Sequence, residues 1–153
     1  MRQSAAALAL IRSRKEGHTL WLARWNRHWQ SYSFVGGHEH PEESFRECVV
    51  REVGEELGLS EGTGFAVASQ PQSHLEYTAW SESAQAETAY VIEIFDVELL
   101  GTAARDAVDA DPQNRWVTEA EIRSQRSADG EPISATMERL LSMAGLLPEC
   151  QGS

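Results

Sequence analysis

The sequence predicts an α/β fold: one domain built on a mixed β-sheet with helices on its faces. Three observations carry the prediction. Short apolar runs rich in strand formers recur along the chain, separated by polar, turn-like residues. One segment of the first half is punctuated as a helix at both ends, and an apolar stripe at helical spacing closes the chain. No internal repeat or low-complexity tract competes, and 153 residues suffice to bury about two-thirds of the surface an unfolded chain exposes.

The first strands are expected at residues 6–11, 20–25 and 32–35, where β-branched, aromatic and aliphatic residues cluster. Gly36 and Gly37 break that pattern, and Pro41 leads into a helix. Ser44, with Glu47 three residues on, has the spacing of a capping box, and Gly58 suits the left-handed position that ends a helix. At about 100° per residue, Val49, Val50, Val53 and Leu57 share a packing arc, while Glu52, Glu55 and Glu56 fall on another. Residues 65–68, 75–80 and 90–100 read as further strands, with a polar, mobile loop at 81–88. Residues 101–114 read as an acidic, turn-rich connection, and 115–117 as a short strand. Thr118 with Glu121 caps a short helix. Ile133, Met137, Leu140, Leu141 and Ala144 form the closing helical stripe, stopped near Pro148.

Composition excludes several classes. Charged residues make up 24% and the hydrophobic set 41%, which fits a folded chain rather than a disordered one. A net charge of −11 argues against a groove for long nucleic acid, because phosphate contacts need clustered Lys and Arg. No run approaches the ~20 apolar residues of a membrane span. The opening apolar run is interrupted by Arg12, Arg14 and Lys15 and reads as a strand, not a signal peptide. Cys48 and Cys150 fit neither a disulfide framework nor a zinc site, so the reducing cytoplasm is the expected location.

The glutamate face is the chemical signal. Like charges at i, i+3 and i+4 destabilise a helix by roughly 0.2–0.5 kcal/mol per pair, and Gly54 in the same turn costs ~1 kcal/mol against alanine. A solvated acidic face is one explanation. A divalent cation held by hard oxygen donors is the other, and it would let an acidic protein hold a polyphosphate without lysines.

Residues 37–59 read GHEHPEESFRECVVREVGEELGL, which fits G-x5-E-x7-R-E-U-x-E-E-x-G-U, U being a bulky aliphatic residue, at every fixed position. The match uses Gly37, Glu43, Arg51, Glu52, Val53, Glu55, Glu56, Gly58 and Leu59, and it resembles the Nudix box of the Nudix hydrolases. The resemblance implies an α/β/α sandwich and hydrolysis of the diphosphate bond in a nucleoside diphosphate linked to another moiety. It implies Mg²⁺ or Mn²⁺ as cofactor, held by Glu52, Glu55, Glu56 and the carbonyl of Gly36, with water activated by the cation as nucleophile. Glu52 is the first candidate for general base, and Glu55, Glu56 or a later carboxylate are alternatives. Glu43 and Arg51 would pair to brace the loop against the helix, with Gly37 and Gly58 structural. A catalytically weak, nucleotide-binding module is the rival the same resemblance allows, and a homodimer is an assembly it permits.

The chain departs from the family pattern at Val35, His40 and Glu42, commonly proline, glutamate and glycine. A distal glutamate ligand of some members would fall at Arg115, leaving Asp109, Asp111 or Glu87 as substitutes. Arg24 and Arg27 are candidates for phosphate contact, since arginine suits bidentate recognition, and Phe34 is a candidate for stacking on a base. Ser69, Gln70 and Pro71 faintly resemble a motif of NADH pyrophosphatases. Tyr77 lies where members acting on dinucleoside polyphosphates carry a tyrosine, although a strand residue needs no such role.

Overall fold

The computed structural model describes residues 1–147; Pro148 and Cys150, both invoked from sequence, lie outside the described residues. In chain order the elements begin with β1 (Arg2–Leu10), β2 (Arg12–Lys15), β3 (His18–Asn26), β4 (Ser31–Ser33), β5 (Val35–His38) and α1 (Phe45–Leu57). They continue with β6 (Phe65–Val67), β7 (Ser73–Ser81), β8 (Ala86–Leu99), α2 (Gly101–Ala110), β9 (Asn114–Val117), α3 (Glu119–Ser124) and α4 (Ala135–Met143).

The main sheet is mixed. Its centre is β1 parallel to β8; β5 runs antiparallel to the other edge of β1. β7 and β6 pair antiparallel with successive stretches of β8. The strand period of two sorts the side chains into two layers. Ala7, Ala9, Phe95 and Val97 face Cys48, Val49, Val53 and Leu57 of α1. Leu10, Ile92 and Ile94 face the opposite way, toward Met137, Leu140 and Leu141 of α4. Burying each of those leucines contributes on the order of 1.5–3 kcal/mol. Helices on both faces give the α/β/α sandwich.

A second sheet is organised on β3, which pairs with β2, β4 and β9. It carries Arg24 to the same side of the fold as α1: Leu22, two residues earlier on the same strand face, packs with Val53 and Leu57.

Five local expectations are corrected. The basic segment after the first run forms β2, an antiparallel partner of β3 across a tight turn at Gly17. Residues 32–35 divide between β4 and β5 rather than forming one strand. The expected turn-rich connection begins as helix α2, anchored by buried Ala104 and Val108. The loop expected at 81–88 shrinks to four residues, because the ladder runs to the Ser81–Ala86 pair and Ser81 Oγ accepts the Ala84 N–H at 3.3 Å. Ile133 precedes α4 and bridges to Tyr32 instead of lying on the helix.

Candidate active site

Helix α1 is defined by its ends. Ser44 Oγ accepts the Glu47 N–H at 3.0 Å and Glu47 Oε1 accepts the Ser44 N–H at 2.9 Å, a complete capping box. Gly58, at φ 68°, stops the helix and donates to the Gly54 carbonyl at 3.0 Å. With its apolar arc on the sheet, α1 sets Glu52 and Glu56 against Gly37 and Gly36 of β5 and leaves Glu55 largely exposed.

The glutamates are not without a cation. Arg51 Nε and Nη2 donate to the two carboxylate oxygens of Glu43 at 2.8 and 3.1 Å. Its Nη1 donates to Glu52 at 3.0 Å and reaches Glu55 at 3.5 Å, and Nη2 also meets the His38 carbonyl at 3.2 Å. One guanidinium therefore ties the loop, β5 and two carboxylates together. Arg51 and the His40 N–H hold the Glu43 carboxyl down at about 2. The buried Cys48 beneath this loop has its thiol pushed up to about 11 by desolvation, which makes it a packing residue.

The glycine pair admits these side chains. A Cβ on Gly37 would stand 2.5 Å from Glu52 Oε1, so only glycine lets that carboxylate lie against β5. Gly36, at φ 149°, would place a Cβ 2.4 Å from the Ala7 carbonyl. Its N–H donates to Glu56 Oε2 at 3.0 Å. Burial, then the hydrogen bond and charge of Glu52, push the Glu56 carboxyl up to about 8, against the opposing pull of the Gly36 N–H and Arg24.

Glu52 and Glu56 thus form a close carboxylate pair at a glycine-floored ledge, while Glu55 points outward with 63% of its side chain exposed. Among the described residues, no three His, Cys, Asp or Glu side chains gather tightly enough to hold a metal ion, so the three glutamates do not converge. The donors nevertheless fit a hard divalent cation in kind: all are oxygens, and two of them share a charge that burial penalises.

Arg24 lies beside this ledge, half-buried, with its guanidinium donated to Asp111, Asn114 and Gln113 at 2.8, 2.8 and 2.9 Å. Arg27 is exposed in the β3–β4 turn. Phe34 is only 8% exposed and packs in the α4-side core, so its ring is taken up by neighbours rather than offered to a base. Among the suggested distal acids, Asp109 accepts the Trp116 indole N–H at 2.8 Å, Asp111 pairs with Arg24, and Glu87 is exposed across from Trp80. Tyr77 stacks on Tyr90 with ring centroids 5.0 Å apart. The bracket on Arg24 escaped sequence reasoning because its acceptors lie 87–90 residues along the chain. Two clefts, of about 520 and 680 Å³, flank α2 and share Arg105 and Trp116. Neither is lined by Glu52, Glu55 or Glu56; the oxygen donors, not a concavity, mark the site.

A family model described as the NUDIX domain matches residues 1–140. No curated protein matches the sequence. Among solved structures, the chain resembles a C. elegans Ap4A hydrolase (17% identity, TM-score 0.65), the likeness covering 97% of this chain and 100% of that one. It resembles a MutT protein from Methanosarcina mazei Go1 (19% identity, TM-score 0.56, 94% of each chain). A third is the NUDIX domain of Shewanella oneidensis NrtR complexed with ADP ribose (13% identity, TM-score 0.59), covering 95% of this chain and 88% of that one. At these identities the likeness is one of fold.

Proposed function

Because the chain belongs to the Nudix domain family, we propose that it is a pyrophosphohydrolase that cleaves the diphosphate bond of a small nucleotide derivative, a nucleoside diphosphate linked to another moiety. The observation that carries this reading is the Glu52–Glu56 pair seated over Gly36 and Gly37, braced by Arg51 and Glu43. Glu52, Glu55, Glu56 and the Gly36 carbonyl are the groups that would hold Mg²⁺ or Mn²⁺. Such a cation would supply Lewis-acid activation of water and neutralise charge on the phosphoryl oxygens.

The remaining chemistry belongs to the chain. Arg51 orients Glu52 through the 3.0 Å contact, which makes Glu52 the first choice to take the proton of the attacking water. The Gly36 N–H fixes Glu56, and Glu55, exposed and held only by the long 3.5 Å contact to Arg51, can turn toward a ligand. Arg24 supplies fixed positive charge beside them. With net −11, the chain is read as acting on small substrates in the cytoplasm rather than on long nucleic acid. Among the described residues no helix is long and apolar enough to cross a membrane.

The test is release of phosphate and nucleotide from a substrate panel with Mg²⁺ or Mn²⁺. The panel contains nucleoside triphosphates, ADP-ribose, sugar nucleotides, NADH and dinucleoside polyphosphates. Cation-dependent turnover of one class supports the reading and names the substrate. A second reading, a nucleotide-binding module with weak turnover, draws on the likeness to the NrtR domain held with ADP ribose. Tight nucleotide binding by folded protein with no turnover of any class would select it.

A further inference from the structure

We propose that Asp111, with Gln113 and Asn114, is the positioning bracket of Arg24, and that the guanidinium so held is the fixed cation the site turns toward the substrate diphosphate. This rests on the hydrolase reading above and deepens it. In this chain Asp111, the acid before β9, holds an arginine.

Placement comes first. Arg24 pairs with Ser33 in the β3–β4 ladder, three residues before Gly36, whose N–H meets Glu56. Leu22, on the same strand face, belongs to the same buried cluster as Val53 and Leu57 of α1, and the Arg24 charge is near enough to act on the Glu56 carboxyl. Only 17% of its side chain is exposed, and a long cation is held there only if its donors are met.

The donor count supplies the second argument. A guanidinium has five N–H donors. Among the described residues, Asp111 and Asn114 take two from Nη1, and Gln113 takes one from Nη2. The Nε–H and one Nη2–H remain. Nε and Nη2 are the two nitrogens with which Arg51 grips the Glu43 carboxylate side-on. The bracket therefore fixes the plane of Arg24 and leaves a donor on each of these nitrogens for a ligand.

Asp111 is meanwhile committed. Its Oδ2 accepts from Arg24 and its Oδ1 from the Gln113 N–H at 3.0 Å. A carboxylate with both oxygens bonded inside its own loop is a poor choice for a second cation ligand.

The experiment measures binding, not turnover. Calorimetry would follow α,β-methylene-ADP, an uncleaved diphosphate, in the presence of Mg²⁺, and electron paramagnetic resonance would count bound Mn²⁺. Asp111→Asn keeps the Oδ1 acceptor, and Gln113→Ala removes a different arm of the bracket, so the test does not depend on one variant folding. Each is expected to weaken analogue binding, Asp111→Asn by about tenfold, the equivalent of ~1.4 kcal/mol. In an Arg24→Ala background Asp111→Asn should bring no further loss, because its effect runs through Arg24. Mn²⁺ binding should stay at its original strength and count. Loss of Mn²⁺ in Asp111→Asn, losses that add in the double variant, or unchanged analogue binding in both bracket variants would overturn the proposal. Failure of the wild-type chain to bind the analogue would overturn the hydrolase reading itself, and this proposal with it.

Discussion

Replacing Glu56 by glutamine should stabilise the cation-free protein at alkaline pH while abolishing turnover. Glutamine reproduces the protonated acid: its Oε1 can still accept the Gly36 N–H, and its amide can donate to Glu52. Below pH 4.5 the wild-type carboxyl is protonated whether the chain is folded or unfolded, so it costs nothing. As pH rises toward 8 the unfolded chain releases the proton and the folded chain retains it, so stability falls across that window. Above pH 8 the full cost is present, because Glu56 must ionise in a partly buried place beside Glu52. Raising a carboxyl from 4.5 to about 8 corresponds to at most ~5 kcal/mol. Charge sharing with Glu52 and residual solvation reduce this to ~2 kcal/mol. For a chain of this size that is roughly 4–8 °C in Tm. The assay is thermal unfolding in EDTA at pH 5 and pH 9. Wild type should lose stability between the two relative to Glu56→Gln, and the variant should be the more stable at pH 9. A variant less stable than wild type at pH 9, or parallel pH profiles, would refute the reasoning.

Three other substitutions probe the same ledge. Gly54→Ala places a Cβ no closer than 3.4 Å to the Leu59 carbonyl, so it should stabilise α1 by ~0.5–1 kcal/mol in denaturant unfolding. Gly37→Ala should displace Glu52 and cut turnover by at least about tenfold while far-ultraviolet circular dichroism stays native; full activity would show that the close approach is dispensable. Glu43→Gln removes a carboxylate held at about 2 by Arg51; stability that Glu43 adds is present above pH 4.5 and lost as pH falls through 2, so the variant should show a shallower acid unfolding profile.

How far the sequence disclosed this structure depends on where each signal resides. Helix α1 was legible because its start and stop are local: Ser44 and Glu47 bond each other across one turn, and Gly58 adopts the backbone only glycine takes cheaply. Helix α2 was hidden because its N-cap, Leu100, offers no side-chain bond and its buried face is just Ala104 and Val108. Strand β2 was hidden because its charged residues are exposed and its pairing comes from β3. At the site, the three glutamates and the glycine pair could be read from spacing. The Arg51–Glu43 pair was implied by the family resemblance and is present, but the reach of the same guanidinium to Glu52 could not be read, since adjacent helix residues do not face each other in a periodicity argument. Phe34 looked available from composition, and only packing shows that it is buried.

The central claim is that Glu56 and its neighbours hold a cation that makes diphosphate hydrolysis work. Its most direct test measures Mn²⁺ binding and cation-dependent turnover of the preferred panel substrate side by side in wild type and Glu56→Gln. The account predicts that wild type shows both and that the folded variant loses turnover by orders of magnitude together with most of its Mn²⁺ affinity. A folded Glu56→Gln protein that hydrolyses the substrate at the wild-type rate would contradict it.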